Sequence, residues 1–371
     1  MRSACKHSKW LIIVLVTMFN VNNTMAQNPF NGLEHLFTTP DNYIAYYTEN
    51  SPSIDGIINE KAWQKAAWSN DFKDIEGEKQ PLPALQTRMK MLWNDSCLFI
   101  AAELLEPHIW ATLLNHDEII FHDNDFEIFI DPDNNTHQYY EIEVNALNTI
   151  FDLFMSKPYR NLSGAMINWN LTKLRSGVHI KGTLNNSKDK DTSWSVEMAI
   201  PFRSLQIGNA NTPPKDGEIW RINFSRVEWD TEIRDGKYVK SKDQLGKNKP
   251  EHNWVWSPQG VINMHYPERW GYLQFTRRTE SEPTFVFEMP YLEKQKNYLW
   301  LCYYRQKEHT GRNKKYAGSL TELGIDTAGI IIGSHTNTLQ MEATSRQFMV
   351  TITDENNNTI SINDEGLIRY F

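Results

Sequence analysis

Residues 121–145, FHDNDFEIFIDPDNNTHQYYEIEVN, alternate with period two on both sides of an acidic turn. A helix cannot use that pattern, so the segment reads as two strands of a hairpin. In the first strand Phe126, Ile128 and Ile130 face one way, and Asp125, Glu127 and Asp131 face the other. In the second, Tyr140, Ile142 and Val144 alternate with Glu141, Glu143 and Asn145. Successive strand side chains lie on opposite faces, so each strand offers an apolar row to a core and a polar row carrying Glu127, Glu143 and Asn145. The turn Asp131-Pro132-Asp133-Asn134-Asn135 is fixed by proline's φ and by Asx side chains that bond local backbone. Taken alone, this is a hairpin with its polar row in water.

The same period recurs along the chain. Trp194, Val196, Met198 and Ile200 alternate, as do Trp220, Ile222 and Phe224, with Asn, Asp, Gly and Pro clusters between short strands. Many short alternating strands punctuated in this way predict a mainly β protein built on an antiparallel β-sandwich over residues 42–276. Aromatic residues at 12% give that sandwich a bulky core, and Trp254 and Trp256 are expected to help fill it. Only 59–67 and 108–115 read as helical there, and the polar stretches 158–193 and 230–252 read as surface loops. Residues 27–41 read as an unstructured leader, and 277–288 as a charged linker. Beyond it, 289–371 reads as a small α+β C-terminal domain. Its helix starts at Pro290, with Leu292, Tyr298, Leu299, Cys302, Tyr303 and Gln306 at helical spacing, and three strands follow over 339–371.

The first 26 residues carry Arg2, Lys6 and Lys9, then the apolar run WLIIVLVTMF (10–19), then the small residues of Thr24-Met25-Ala26. That order is expected of a signal peptide cleaved after Ala26, the alternative being an uncleaved anchor. The expected location is periplasmic or extracellular, with no membrane span once the signal is gone. Removal takes three of the 38 basic side chains and none of the 46 acidic ones, so the chain's net charge of −8 becomes more negative. That excludes a nucleic-acid partner of the ordinary kind, which needs a basic footprint. Cys97 and Cys302 are then the remaining cysteines, in different expected domains, so the protein relies on its core and not on disulfides.

Several stretches, in order, resemble the family 9 carbohydrate-binding modules. They are IDGIINEKAWQKA (54–66), RMKMLWNDSCLFIAAELLEP (88–107), the hairpin of 121–145, WSVEMAIPFRSL (194–205), WRINFSRVEW (220–229), NWVWSP (253–258) and ERWGYLQF (268–275). The resemblance implies non-catalytic binding of a glycan or sugar end, in support of polysaccharide breakdown and alone or beside a hydrolase. In that family two tryptophans sandwich a sugar, while a carboxylate, an arginine and an asparagine bond its hydroxyls. Carried over by position, the carboxylate falls on Glu127 and the asparagine on Asn145. The first tryptophan falls on Phe121, the second near Met264, and the arginine on Glu143, a reversal of charge. The implied ligand site is therefore Phe121, Glu127, Glu143, Asn145 and Met264, with Trp110, Tyr159 or Tyr266 available to extend an aromatic platform.

No cofactor is expected, although the family carries structural calcium and Asp123, Asp125, Asp131 and Asp133 offer the oxygen ligands that calcium takes. Two other chemistries compete. Glu127 and Glu143 could be a glycosidase acid/base pair, which needs carboxyls on either side of a scissile bond. A haem domain on the same kind of sandwich could use His122 and Met264 as axial ligands. The histidines 116, 122, 137 and 265 show no metal-ligand spacing.

Overall fold

The structure is a computed structural model that describes residues 28–207, 213–278, 286–325 and 329–371. The expected signal peptide, its cleavage site and most of the expected linker lie outside the described residues. Fifteen strands lead up to one long helix. They are β1 (Asn42–Tyr47), β2 (Lys73–Asp74), β3 (Thr87–Trp93), β4 (Cys97–Leu105) and β5 (Asp125–Asp131). Next come β6 (Tyr139–Asn145), β7 (Ile150–Met155), β8 (Ala165–Met166), β9 (Arg175–Lys181) and β10 (Ser193–Pro201). The run closes with β11 (Ile219–Glu228), β12 (Thr231–Arg234), β13 (Lys237–Lys240), β14 (His252–Val255) and β15 (Gly271–Thr276). The helix α1 (Tyr291–Asn313) precedes β16 (Ile330–Ile332), β17 (His335–Ala343), β18 (Phe348–Asp354), β19 (Thr359–Asn363) and β20 (Ile368–Tyr370).

The fold is mainly β, as the alternation predicts. One sheet runs β8-β7-β6-β5-β11-β15-β1-β3-β4-β10-β9, with β14 and β2 attached beside β11. It curls so that its two halves face each other across a single core. The join is β1, which pairs in parallel with both β15 and β3, whereas the flanking pairs are antiparallel. Phe126, Ile128, Ile142 and Val144 from one half meet Trp194, Val196, Met198, Met91 and Ile100 from the other, and Trp220, Phe224 and Trp256 close the cluster. Burying one such side chain contributes about 1.5–3 kcal/mol, so this core supplies most of the driving force.

The outer face of β10 is covered too. Glu197 lies there, fully buried, and its carboxylate accepts from Trp63 Nε1 at 2.5 Å and from the Gly56 backbone N–H at 2.9 Å. Gly56 has φ +86°, and a Cβ there would lie 2.4 Å from the backbone nitrogen of His179, so this close approach admits only glycine. These contacts explain the Ile54-Asp55-Gly56 and Trp63 signature at the start of the sandwich.

Five local expectations are corrected. Residues 59–67 make only a single 3-10 turn, Trp63–Lys65. Residues 108–115 are not helical, because side chains intercept their backbone donors: Asp191 bonds Ile109, Asn185 bonds Ala111, and Asp123 bonds Thr112 and Leu113. The loop expected at 158–193 contains β8 and the edge strand β9, and that at 230–252 contains the β12-β13 hairpin. The leader is not unstructured after residue 28, since Leu33 and Leu36 are buried against α1 and the C-terminal sheet.

Past residue 286, α1 begins directly after Pro290, as its sequence predicts, and ends at Lys314 in the left-handed conformation. Five strands follow instead of three, in the simple order β16-β17-β18-β19-β20. Leu299, Cys302 and Tyr303 of the helix pack on Val350, Ile352 and Ile362 of this sheet. Cys302 is buried and Cys97 half-buried, and both are free thiols.

Candidate functional site

The polar row of the hairpin faces away from the main core, and strand register aligns it across five strands. Glu127 pairs with Glu143, Glu143 with Phe151 of β7, Glu127 with Ser225 of β11, and Ser225 with Val255 of β14. The next rung holds Leu153, Glu141, Phe129 and Asn223. Contrary to the half-solvated reading, this face is covered. Segments 117–122 and 262–270 fold over it, with Ile120, Met264 and Trp270 packing on Phe129, Tyr139 and Phe151. Glu127 is only 5% exposed and Glu143 2%.

Between sheet and cover is a cavity of about 420 Å³, within the range of small-molecule sites. Glu127, Glu141 and Glu143 line it from the sheet, Phe121, Ile119 and Asp117 from one covering segment, and Asn263, Met264 and His265 from the other. Tyr159, Glu251 and Asn253 complete its polar edge. Of the expected site residues, Phe121, Glu127, Glu143 and Met264 therefore share one cavity although they come from distant stretches. Asn145 shares their sheet face but is removed from the ligand set, because both ends of its fully buried amide are engaged. Its Nδ2 donates to Leu113 O at 2.9 Å and Asp123 Oδ2 at 3.0 Å, and its Oδ1 accepts from Leu147 and Thr149 backbone N–H groups. Trp110 packs on Val227 and Trp229, and Tyr266 faces Arg160, so Tyr159 is the platform candidate that reaches the cavity.

Phe121 is held from both sides. Its N–H donates to Glu143 Oε2 at 2.8 Å, and its carbonyl accepts from Trp229 Nε1 at 2.8 Å. Met264 Sδ accepts from Gln259 Nε2 at 3.0 Å, and His122 is exposed beside Phe121. The two proposed haem ligands are thus turned to different surroundings and do not make an axial pair. Glu127 and Glu143 stand side by side on neighbouring strands, and with Asp125 they bring carboxyl oxygens within 4.8 Å of one another. A glycosidase uses two carboxyls about 5–10 Å apart on opposite sides of a bond, whereas these two project from neighbouring strands on one face of the sheet.

The four aspartates that offer calcium ligands in the sequence do not come together. Asp123 and Asp125 sit at one end of β5 and Asp131 and Asp133 at the other, about 20 Å away at the rise of a strand. Asp123 accepts from Thr112, Leu113 and Asn145, while Asp131 accepts from the Asn134 and Thr136 N–H groups of its own turn. His116 lies apart from them beside Asp117 and Asp152, with its ring nitrogens 2.8 Å from Ile150 O and 2.5 Å from Asn170 Oδ1.

Burial sets the charge state of the cavity floor. It pushes Glu127 up to about 7, with the Glu251 charge adding to the effect. Burial, reinforced by the Glu127 charge, lifts Asp125, Glu141 and Glu143 well above the usual carboxylate range. The same loss of water lowers His265 to about 4, so this imidazole is neutral. Its Nδ1 meets Tyr139 Oη at 2.8 Å. Burial therefore favours the protonated form of these acids, which can donate as well as accept. Glu141 was legible in the sequence, since it occupies the same alternating row as Glu143. Glu251 and Asn263 were not, because the stretches that bring them in show no periodicity.

The sequence profile of the carbohydrate family 9 binding domain-like family matches residues 54–272. No curated protein matches the chain. Among solved structures, a Bacteroides uniformis protein assigned as carbohydrate-binding is similar at 14% identity and a TM-score of 0.47, covering 64% of this chain and 100% of its own. A family 9 carbohydrate-binding module from Caldicellulosiruptor kristjanssonii in complex with cellotriose is similar at 14% identity and a TM-score of 0.39, covering 67% and 100%. The glucose complex, from the same organism, gives 15%, 0.39, 65% and 100%. These likenesses are weak, and the family assignment rests on the profile match.

Proposed function

The chain belongs to the carbohydrate family 9 binding domain-like family, and from that premise we propose that it binds the end of a glycan without cleaving it, in the cavity floored by Glu127, Glu141 and Glu143. The observation that supports this most is the convergence of Phe121, Glu127, Glu143 and Met264 on one cavity of sugar-accommodating size. Phe121 and Tyr159 offer ring faces to the C–H side of a pyranose, and the carboxyl groups offer hydroxyl partners. The missing arginine and tryptophans mean that the sugar preferred here differs from one held by the family's usual set. The side-by-side acids favour binding over hydrolysis.

A glycan array followed by calorimetry tests this reading. Phe121→Ala is expected to weaken sugar binding by about 1–3 kcal/mol, the scale of an aromatic anchor. Phe121 also packs against Trp110, Val227 and Trp229, so a drop of a few degrees in Tm is expected alongside. Unchanged affinity with a large Tm loss would assign Phe121 to packing alone. Wild-type protein is expected to release no product from chromogenic glycosides. Turnover that disappears in Glu127→Gln or Glu143→Gln would overturn the binding reading.

We further propose export, with a role beside polysaccharide-degrading enzymes in the periplasm or outside the cell. The basic start, short apolar run and small residues before Gln27 support it. The protein recovered from outside the cytoplasm is expected to begin at Gln27. An intact N-terminus on membrane-bound protein would favour the anchor instead.

A further inference from the structure

The cavity contains far more acid than a neutral sugar requires. Glu127, Glu141, Glu143, Glu251 and Asp117 all line it, and among the described residues no lysine or arginine does. The arginines of the adjacent strand β11 are engaged elsewhere: Arg226 with Glu106 and Glu228 at 2.8 Å, Arg221 with Glu293 at 2.9 Å. Buried carboxyl groups are ordinarily paired with a cation or fully hydrogen-bonded. Here Glu127 Oε2 and Glu141 Oε2 are buried without a hydrogen-bond partner, on side chains more than nine-tenths buried that face the cavity; the nitrogen nearest Glu141 Oε2, His265 Nε2, stands 3.7 Å away, beyond hydrogen-bond reach, on a ring whose charge burial disfavours. Asp125 Oδ2, on the residue beside Glu127 and Glu143, is also unpartnered. Phe121, Phe129, Phe151 and Tyr159 add aromatic walls. Acceptors without donors beside aromatic rings are complementary to an ammonium group, which has three donors, no acceptor and an affinity for ring faces.

We propose that this site selects an amine-bearing sugar, with the ring against Phe121 and Tyr159 and the ammonium group held between Glu127 and Glu141. The inference rests on the carbohydrate reading and names the class of sugar. Charge-assisted bonds in a site shielded from water are about twice as strong as neutral ones. Glu143, paired opposite Glu127 in the same lining, adds a further acid that disfavours an anionic sugar and favours a cationic one. Binding also has a proton signature. A protonated carboxyl must ionise to pair with the ammonium, so each ligand that arrives as ammonium releases a proton to the buffer, while one that arrives as neutral amine takes the carboxyl's proton itself.

The test is calorimetry on the full mature chain at pH 7 with three probes: methyl glucosaminide, methyl N-acetylglucosaminide and methyl glucoside. The amine is expected to bind at least tenfold tighter than either neutral probe, with an enthalpy that changes between phosphate and Tris buffers. Glu127→Gln and, separately, Glu141→Gln are expected to reduce that preference to threefold or less while keeping a cooperative melt. If one variant does not fold, the other carries the comparison. Equal or tighter binding of the neutral probes overturns the inference and leaves the carbohydrate reading standing. Binding of none of the three, with calcium binding that Glu127→Gln abolishes, overturns the inference in favour of a metal site on Asp125, Glu127 and Glu143. A chain that binds neither calcium nor any sugar of the array defeats the carbohydrate reading itself.

Discussion

Replacing Glu293 by alanine is expected to cost about 3–5 kcal/mol of unfolding free energy at pH 7, because it leaves two buried cations without their counter-charge. Glu293 Oε2 accepts from Arg221 of β11 at 2.9 Å, and Oε1 accepts from Lys296 at 2.8 Å. All three side chains are at most 6% exposed. Arg221 also donates to Trp270 O, Asn134 Oδ1 and Tyr272 Oη, so the guanidinium cannot turn to water when its carboxylate is removed. Burial pushes the Glu293 carboxyl up, but the Lys296 and Arg221 charges outweigh burial and hold it at about 2. A carboxyl depressed in the folded state contributes stability that is complete above its unfolded value near 4.5 and is lost as pH falls through about 2. The deficit of Glu293→Ala relative to wild type should therefore shrink on acidification. Urea unfolding at pH 7 and pH 2.5 measures both effects, and a deficit below 1 kcal/mol at pH 7 would refute this account.

The cavity floor should behave in the opposite sense. Glu127 is lifted to about 7 from an ordinary value of 4.5, so between those limits the native state holds a proton that the unfolded chain has released. Stability attributable to this group is then complete below pH 4.5 and falls as pH rises through 7. Glu127→Gln removes the ionisation and keeps the shape. The ligand-free variant is expected to be more stable than wild type by about 1–3 kcal/mol at pH 8 and indistinguishable from it at pH 5. Thermal melts at the two pH values decide it. A variant less stable than wild type at pH 8 would mean that the carboxylate has a native partner it needs.

These two effects mark what could and could not be read from the chain. The hairpin rows were legible because a strand's period of two assigns faces without any tertiary information, and α1 because Pro290 starts a run with helical spacing. The register of Glu127 opposite Glu143 was not legible, since the connection runs from Asp131 to Tyr139 and a turn confined to 131–135 would have set Glu127 against Tyr139. What was hidden is the cover: segments 117–122 and 262–270 carry no period, so nothing in them announces that they fold onto the polar row and dry it. For the same reason Asn145 looked like a ligand residue when it is a buried brace for Leu113, Leu147 and Thr149. Strands β9, β12 and β13 are polar and read as loops, since edge and hairpin strands have little apolar surface to bury. Arg221 and Glu293 lie 72 positions apart, in segments that look unrelated until they meet.

The turn between β5 and β6 is gripped by the C-terminal part of the chain. Asn134 Nδ2 donates to Glu293 Oε1 at 2.9 Å, Lys296 Nζ to Asn134 O at 2.9 Å, and Thr136 Oγ1 to Gly366 O at 2.6 Å, while Ile368 N donates to Asn135 O. The strands that carry Glu127, Glu141 and Glu143 are thus anchored at their shared tip by a helix and sheet lying outside the matched 54–272 segment. The sandwich is consequently a poor cassette: cut free at residue 276 and grafted onto an enzyme, it would lose the splint that sets its own hairpin. Duplication or shuffling of this protein in evolution would have to move both parts together.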